Sequence, residues 1–410
     1  MSMHIVKLNR KKSTLALMVG LVCAGATLGQ VHAAEQSSIT SALKEGTAAV
    51  NLRLRYEDVD QDTNDASALT LRTMLNYTTD SYKGFSAKIE VEDTRIVLGQ
   101  GDYTVGPSGY NPGQYSVIAD PEHTELDQGY VQYQNAGVTA KFGRQIITMD
   151  NHRFVGHVGW RQDWQTFDGV SVKYAANKDL TLNYAYLSQR NRIFGQDADL
   201  DSKDHLFNVG YSTSLGKLVG YSYLLEVDND IDNSLDTYGF SFNGGTKIAD
   251  TSVLYGVEYA TQSSETATTD FDADYLMLEA GVKLSAVTLK LGYESLGSDD
   301  GAYGFSTPLA TLHKFNGWAD TFLSTPAEGL VDVSVSASGK LAGGGWSVIY
   351  HDFSADEDSS TVDDLGSEID FSYVRKFEGG YATGIKYAAY SGDSGRQDTD
   401  KLWVWAGAAF

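Results

Sequence analysis

Only one cysteine, Cys23, and 5 prolines occur in 410 residues. Cys23 lies within an apolar run from Leu15 to Leu28 that follows Lys7, Arg10, Lys11 and Lys12 and ends at Val31-His32-Ala33 or His32-Ala33-Ala34. That order of charge, apolar run and small residues is a secretory signal peptide, assigned to residues 1–33 and absent from the mature protein. The mature chain then has no thiol, hence no disulfide and no cysteine metal site. Long apolar runs are also missing. Nothing after residue 34 reaches the roughly 18 consecutive apolar residues of a membrane-spanning helix, which leaves an exported soluble protein or a transmembrane β-barrel. Positive charge is scarce: removing the four basic residues of the signal leaves 27 Lys and Arg against 54 Asp and Glu, a net charge of −27. Such a surface repels nucleic acid, so no nucleic-acid partner is expected.

What the chain has is glycine and tyrosine, 42 and 25 residues, with a mildly polar mean hydropathy of −0.27. Many short strands with aromatic belts and a wet interior fit that composition. The pattern of period two is explicit. Val50, Leu52, Leu54 and Tyr56 alternate with Asn51, Arg53, Arg55 and Glu57; Leu69, Leu71, Leu75 and Tyr77 alternate with Arg72 and Asn76; Phe85, Ala87, Ile89 and Val91 alternate with Lys88, Glu90 and Glu92. One face of each strand is thus read as facing lipid and the other water. The rows Val219/Tyr221/Tyr223/Leu225/Val227, Val287/Leu289/Leu291/Tyr293 and Ile369/Phe371/Tyr373 are read as further lipid-facing sets. A soluble β-sandwich also alternates, but it lacks a tyrosine rhythm near strand ends.

The closing residues KLWVWAGAAF place Leu402, Val404, Ala406, Ala408 and Phe410 on one apolar face. A strand edge cannot stay open in hydrocarbon, so a strand at the chain end implies pairing with the first strand and a closed ring. Short connections such as residues 134–137, 177–179 and 214–216 alternate with long Asp-rich ones, as periplasmic turns alternate with extracellular loops. The prediction is all-β: a transmembrane antiparallel β-barrel of about 18 strands over residues 49–410, preceded by a short periplasmic segment at 34–48 containing a helical turn at Ser38–Glu45.

Candidate chemistry is thin. The triplets Asp58/Asp60/Asp62, Asp197/Asp199/Asp201 and Asp228/Asp230/Asp232 lack the Gly and Glu of a calcium loop and read as solvated loops, with weak divalent bridging to lipopolysaccharide the functional alternative. The histidines form no nucleophile elbow, and His152 and His157 are the only pair worth testing for catalysis. No catalytic residue, cofactor or metal site is assigned.

The stretch 142–169, FGRQIITMDNHRFVGHVGWRQDWQTFDG, is the most specific in the chain. Together with NLRLRYEDV at 51–59, RTMLNYTTDSYKGFSAKIEVED at 72–93 and KFNGWADTFLSTPAEGLVD at 314–332, it resembles the alginate export family of outer-membrane channels. The resemblance implies a barrel of about 18 strands whose lumen conducts an anionic polysaccharide past basic residues. Carried over, Arg144, Arg153, Arg161 and Asp168 become lumen or pore-mouth residues, and Trp318 and Asp320 part of an inserted loop. Arg144 shares parity with Phe142 and reaches the lumen only if a bulge at Gly143 shifts the register. By alternation Arg53, Arg55, Arg72, Lys88, Lys141 and Lys173 face inward too, but so do Glu57, Glu90, Glu92, Glu258, Glu279 and Glu294. This mixed lumen favours a diffusion porin for small hydrophilic, anionic solutes, the alternatives being polysaccharide export, a barrel enzyme or an adhesin. The partners implied are outer-membrane lipid, lipopolysaccharide and the barrel assembly machinery. Loops 96–123 and 297–329 are long enough to fold into the barrel.

Overall fold

Eighteen antiparallel strands, each hydrogen-bonded to its sequence neighbours, form one sheet that closes on itself. The computed structural model describes residues 38–61, 64–106, 111–249, 251–359 and 362–410. The signal peptide assigned to 1–33 lies outside the described residues. The described chain begins with the helical turn Ile39–Lys44, capped by Ser38, whose Oγ accepts from the Ser41 N–H at 3.1 Å. The first strand, Thr47–Gln61, follows directly, so strand structure starts two residues earlier than alternation indicated.

Closure comes from the two ends of the chain. Asn51 through Gln61 pair in antiparallel register with Ala409 through Thr399, while Val50 and Phe410 exchange both backbone hydrogen bonds, at 3.0 and 2.9 Å. No edge remains in the ring, as hydrocarbon requires of a spanning sheet. The outward rows are apolar and exposed: Leu54, Leu75, Ile89, Leu291, Ile369 and Val404 all stand on this face. Trp403, the inward neighbour of Val404, is fully buried.

One row contradicts its sequence reading. Val219, Tyr221, Tyr223 and Leu225 face inward and are buried, while Leu218 takes the lipid side. The reason is tertiary: Phe154, from a loop inside the barrel, packs on Tyr221 and Tyr223 at ring-centroid distances of 5.2 and 6.1 Å. An apolar row that serves lipid equally well here serves an internal plug. The Tyr221 hydroxyl donates to Glu258 at 2.9 Å, satisfying the polar end of a ring that alternation alone assigned to a membrane belt.

Two long connections, 146–165 and 297–329, turn into the lumen, and each pairs with the other. Val155 and Leu309 form a parallel bridge, Gly156 N–H donates to Leu309 O at 2.7 Å, and Thr311 N–H donates to His152 O at 3.0 Å. Gln165 adds hydrogen bonds from Nε2 to both Gly156 O and Leu309 O. Backbone without regular structure is tolerated at membrane depth where protein surrounds it, and these bonds supply its partners. Of the connection predicted over 96–123, residues 96–102 belong to the strand Phe85–Asp102. Among the described residues of the rest, Tyr103, Val105 and Ile118 pack on Val59, Ala66 and Ala68, and Asp120 reaches Arg55 and the Gln162 N–H inside the barrel.

Val404 lies midway along the closing strand Thr399–Ala409 and is 43% exposed on the lipid side. Val404→Arg is expected to cost about 2–4 kcal/mol, as a cation at the midplane of a membrane barrel does, seen as a lower urea midpoint for the folded form in lipid vesicles. An unchanged midpoint would remove this row from the bilayer.

Candidate functional site

Several strands and both inserted loops converge where Thr47–Gln61 and Thr399–Ala409 meet. Arg53 and Arg55 point inward from the first strand, and neither ends in open water. Arg53 donates to Gln162 Oε1 at 2.9 Å and to the Gly159 and Arg161 carbonyls; Arg55 donates to the Trp160 carbonyl and pairs with Asp120 and, at 3.3 Å, with Glu57. Arg161 answers from the loop, holding Glu57 at 2.9 Å and Asp320 at 2.8 Å. These strand arginines act as clamps that fix the loop 146–165 across the lumen. Ion pairs so buried are costly to break singly, because the survivor is left without a partner.

Asp320 is the hub of the second loop. Its carboxylate accepts from Arg161, from Lys401 at 3.2 Å and from His313 Nδ1 at 2.7 Å. Burial alone would raise this carboxyl, but His313, Lys401 and Arg161 around it hold it well below the usual carboxylate range. Burial pushes His313 down to about 3, so the ring is neutral: Nδ1–H donates to Asp320 and Nε2 accepts from Lys386 Nζ at 2.8 Å. Lys386 in turn sits against the rings of Trp318 and Trp160 at 3.8 and 4.3 Å. Trp318 and Ala319 are fixed through backbone N–H groups that donate to Asp370 and Glu368. Gly317 makes that approach possible, since it has φ +85° and a Cβ there would meet Glu368 at 2.2 Å.

The remaining predicted residues separate into three settings. Arg153, buried in the loop, pairs with Glu294 at 2.8 Å and lies over Phe315. Arg72 donates to Asn51 at 2.7 Å and stacks over Trp164, while Lys88 pairs with Glu90 at 2.9 Å and Lys141 lies over Tyr130. Lys173 is exposed on the inward face of its strand.

Arg144 and Asp168 require a correction. Gly143 does have φ +120°, yet pairing runs through it without a shift, Tyr130 to Gly143 and Gly129 to Arg144. Arg144 therefore stays on the face of Phe142, which is 70% exposed to the outside, while Gln145 points inward to Ser171. Its guanidinium grips Asp168 at 2.8 and 3.1 Å on that outer face. The bulges nearest to it lie in other strand pairs, between Asp168 and Gly169 and between Glu90 and Val91. They leave the parity of Arg144 untouched, so neither member of this pair lines the lumen.

Above the clamp lies a cavity of about 520 Å³ at the end of the barrel that carries the long connections. Its charged lining is Arg161, Arg192, Arg396, Lys401 and Asp320, four cations against one carboxylate. Arg192 stacks on Phe194 and Arg396 on Phe322, and among the described residues neither makes an ion pair. Sequence reasoning missed both because they lie in Asp-rich connections outside any motif. Lys401 and Lys386 were open to it as inward positions of alternating strands.

A family model for alginate export matches residues 47–295, more than half the chain. Its fold is similar to OccK9 (OpdG) of Pseudomonas aeruginosa, with a TM-score of 0.71 and 12% identity over 90% of this chain and 99% of that one. It is equally similar to OccAB4 of Acinetobacter baumannii, with a TM-score of 0.71 and 14% identity over 90% and 99% of the two chains. A third, OpdK of Pseudomonas aeruginosa solved with vanillate, gives a TM-score of 0.69 and 10% identity over 90% and 99%. No curated protein sequence matches this chain. A closed barrel of eighteen strands with two loops held inside, matched by that family model over its amino-terminal strands, is a bacterial outer-membrane protein, and the chain belongs to the alginate export family.

Proposed function

We propose that the chain is a passive outer-membrane channel through which small hydrophilic anions enter or leave, with the cavity above the Arg161–Asp320 clamp as the station that selects them. The carrying observation is the charge of that cavity, four cations against one carboxylate in a chain whose mature net charge is −27. Placement opposes composition, and placement governs the solute. Exposed charges more than about 8–10 Å from the path are screened at physiological salt, whereas those lining a narrow, partly dehydrated passage are not. OpdK, similar in fold, was solved with vanillate, a small aromatic carboxylate, which is the chemistry such a cavity would admit.

The reading has consequences for the earlier residues. Arg153 and Arg161 contribute as paired groups that hold the inserted loops, while Arg192 and Arg396, which make no ion pair among the described residues, supply charge where a carboxylate would pass. The reading also includes export on the signal assigned to 1–33, insertion by the barrel assembly machinery and contact of the outer loops with lipopolysaccharide. It includes no catalytic step. Polysaccharide export, which the family name suggests, requires a continuous conduit for a polymer, and the paired loops 146–165 and 297–329 stand across the lumen.

Reversal potentials in asymmetric salt across planar bilayers test the proposal. Wild-type channels are expected to prefer anions, and replacing Arg192 and Arg396 with Gln should move the preference toward cations. Arg144→Gln, on the outer wall, should leave it unchanged. A strongly cation-selective wild type that the double substitution does not alter would overturn the reading. Current blocked by alginate oligomers but not by small carboxylates would assign the channel to polymer export instead.

Protonation supplies a second test. Neutral His313 gains no charge until pH nears about 3, and the depressed Asp320 stays ionised below the usual carboxylate range, so neither alters the cavity between pH 5 and 8. His313 and Asp320 therefore add no pH dependence to the selectivity over that interval. Asp320→Asn, which removes the single carboxylate, should raise anion preference equally at both ends of it. A wild-type preference that changes sign between pH 5 and 8 would show that other groups set the selectivity.

A further inference from the structure

Away from the cavity, a second cluster joins the loop 146–165 to the barrel wall, and its charges are not balanced. Glu92 and Glu125 face each other directly across adjacent strands, a placement in which like charges repel. Asp163 descends on them from the loop, and His123, two residues before Glu125, stands between. His123 Nε2 lies 3.4 Å from Asp163, 3.8 Å from Glu125 and 3.9 Å from Glu92. The carboxylates of Glu92 and Asp163 are wholly buried. A bulge opposite Glu90 and Val91 leaves Asp127 as the extra residue of its strand, buried as well.

Buried carboxylate oxygens ordinarily carry hydrogen bonds, and here only Glu92 Oε1 does, accepting from Thr94 Oγ1 at 3.4 Å. Among the described residues, Glu92 Oε2, both oxygens of Asp163, both of Asp127 and His123 Nε2 find no hydrogen-bond partner. Meanwhile His123 Nδ1 lies 3.1 Å from the Pro121 carbonyl, an acceptor, which fixes the proton on Nδ1. In the neutral ring the Nε2 lone pair then points at the acidic groups. A lone pair and several unpartnered carboxylate oxygens aimed at one point repel one another; a proton on Nε2 answers one of these oxygens, whereas a divalent cation answers several at once. Donor atoms of Glu92, His123 and Asp163 all lie within 4.8 Å of one another. A tetrahedral ion with bonds of about 2.1 Å sets its donors about 3.4 Å apart. His123 Nε2 and Asp163 already stand at 3.4 Å, Glu92 is 3.9 Å from the same nitrogen, and carboxylate rotation closes the remainder.

We propose that Glu92, His123 and Asp163, with Glu125 beside them, bind a divalent cation of the zinc or manganese class that fastens the inserted loop to the wall. One imidazole among carboxylates suits these ions better than magnesium or calcium, which take oxygen alone. A backbone carbonyl accepting from the other ring nitrogen, as Pro121 O does from His123 Nδ1, is a usual outer partner of a metal-ligating histidine. The site is independent of the selectivity reading, because none of its residues lines the cavity described above. Its role is positioning: Asp163 lies within the same segment as Arg161 and Gln162, so the cation and the arginine clamp hold one loop from two sides.

The test uses the mature chain folded in detergent, treated with EDTA and dialysed, then titrated with Zn2+, Mn2+ and Ca2+ separately by calorimetry. Zn2+ or Mn2+ should bind one per chain and raise the melting temperature. Loss of an outer partner alone costs a metal site about 10–100-fold in affinity, so removal of a ligand in His123→Gln or Asp163→Asn should cost at least about 100-fold. His205→Gln, at a histidine bonded to Tyr184, should change nothing. Absence of saturable binding, binding of Ca2+ alone, or equal affinity in His123→Gln would overturn the proposal. Should the variants fail to fold, Co2+ added to the wild-type chain decides it: d–d bands of a nitrogen–oxygen site that Zn2+ abolishes support the assignment, and the spectrum of hydrated Co2+ refutes it.

Discussion

A sheet in hydrocarbon has no water to satisfy its backbone, so every N–H and C=O along the ring must find a partner in the next strand. The antiparallel pairing of Thr47–Gln61 with Thr399–Ala409 meets that demand, and most of the architecture follows from it. Closure with eighteen strands creates an interior too wide for the strands' own side chains to fill. Two connections therefore enter the lumen, and their irregular backbone faces the same requirement as the strands. They satisfy it by pairing with each other at Val155 and Leu309 and by drawing on side chains such as Gln165.

Charge in the lumen follows from the same geometry. A loop lying across a wet interior needs anchors stronger than neutral hydrogen bonds, and charge-assisted bonds provide them. Arg53, Arg55 and Arg161 are used in this way, with carbonyl groups and carboxylates distributed between wall and loop. Their positive charge is largely spent on those partners. Among the described residues Arg192 and Arg396 make no ion pair, and they rest on phenylalanine rings at the rim of the cavity. An imbalance of opposite sign, the buried acids Glu92, Glu125 and Asp163 around His123, lies two residues on from Arg161 in the same loop.

Arginine-rich sequence motifs therefore need not mark the conducting surface. In the stretch 142–169 the three arginines have three different fates: Arg144 stays on the outer wall with Asp168, Arg153 holds Glu294, and Arg161 locks Glu57 to Asp320. They are close in sequence because one loop needs fixing at several points.

By itself the sequence determined the barrel. Alternation with period two, the absence of a helical span, the short and long connections in turn and the apolar terminal strand are local properties of a chain solvated by lipid on one face and water on the other. Tertiary structure decided whatever depended on what fills the middle. Val219, Tyr221 and Tyr223 form an apolar row indistinguishable from a lipid-facing one until Phe154 is seen packed against two of its tyrosines from within. Arg144 kept its parity because the bulges nearest to it fell in other strand pairs, a matter of pairing that no single strand encodes. Likewise Glu92, His123 and Asp163 are separated by 31 and 40 residues and come together only when a loop folds back onto the wall, since alternation records which way a side chain points and says nothing of what it meets.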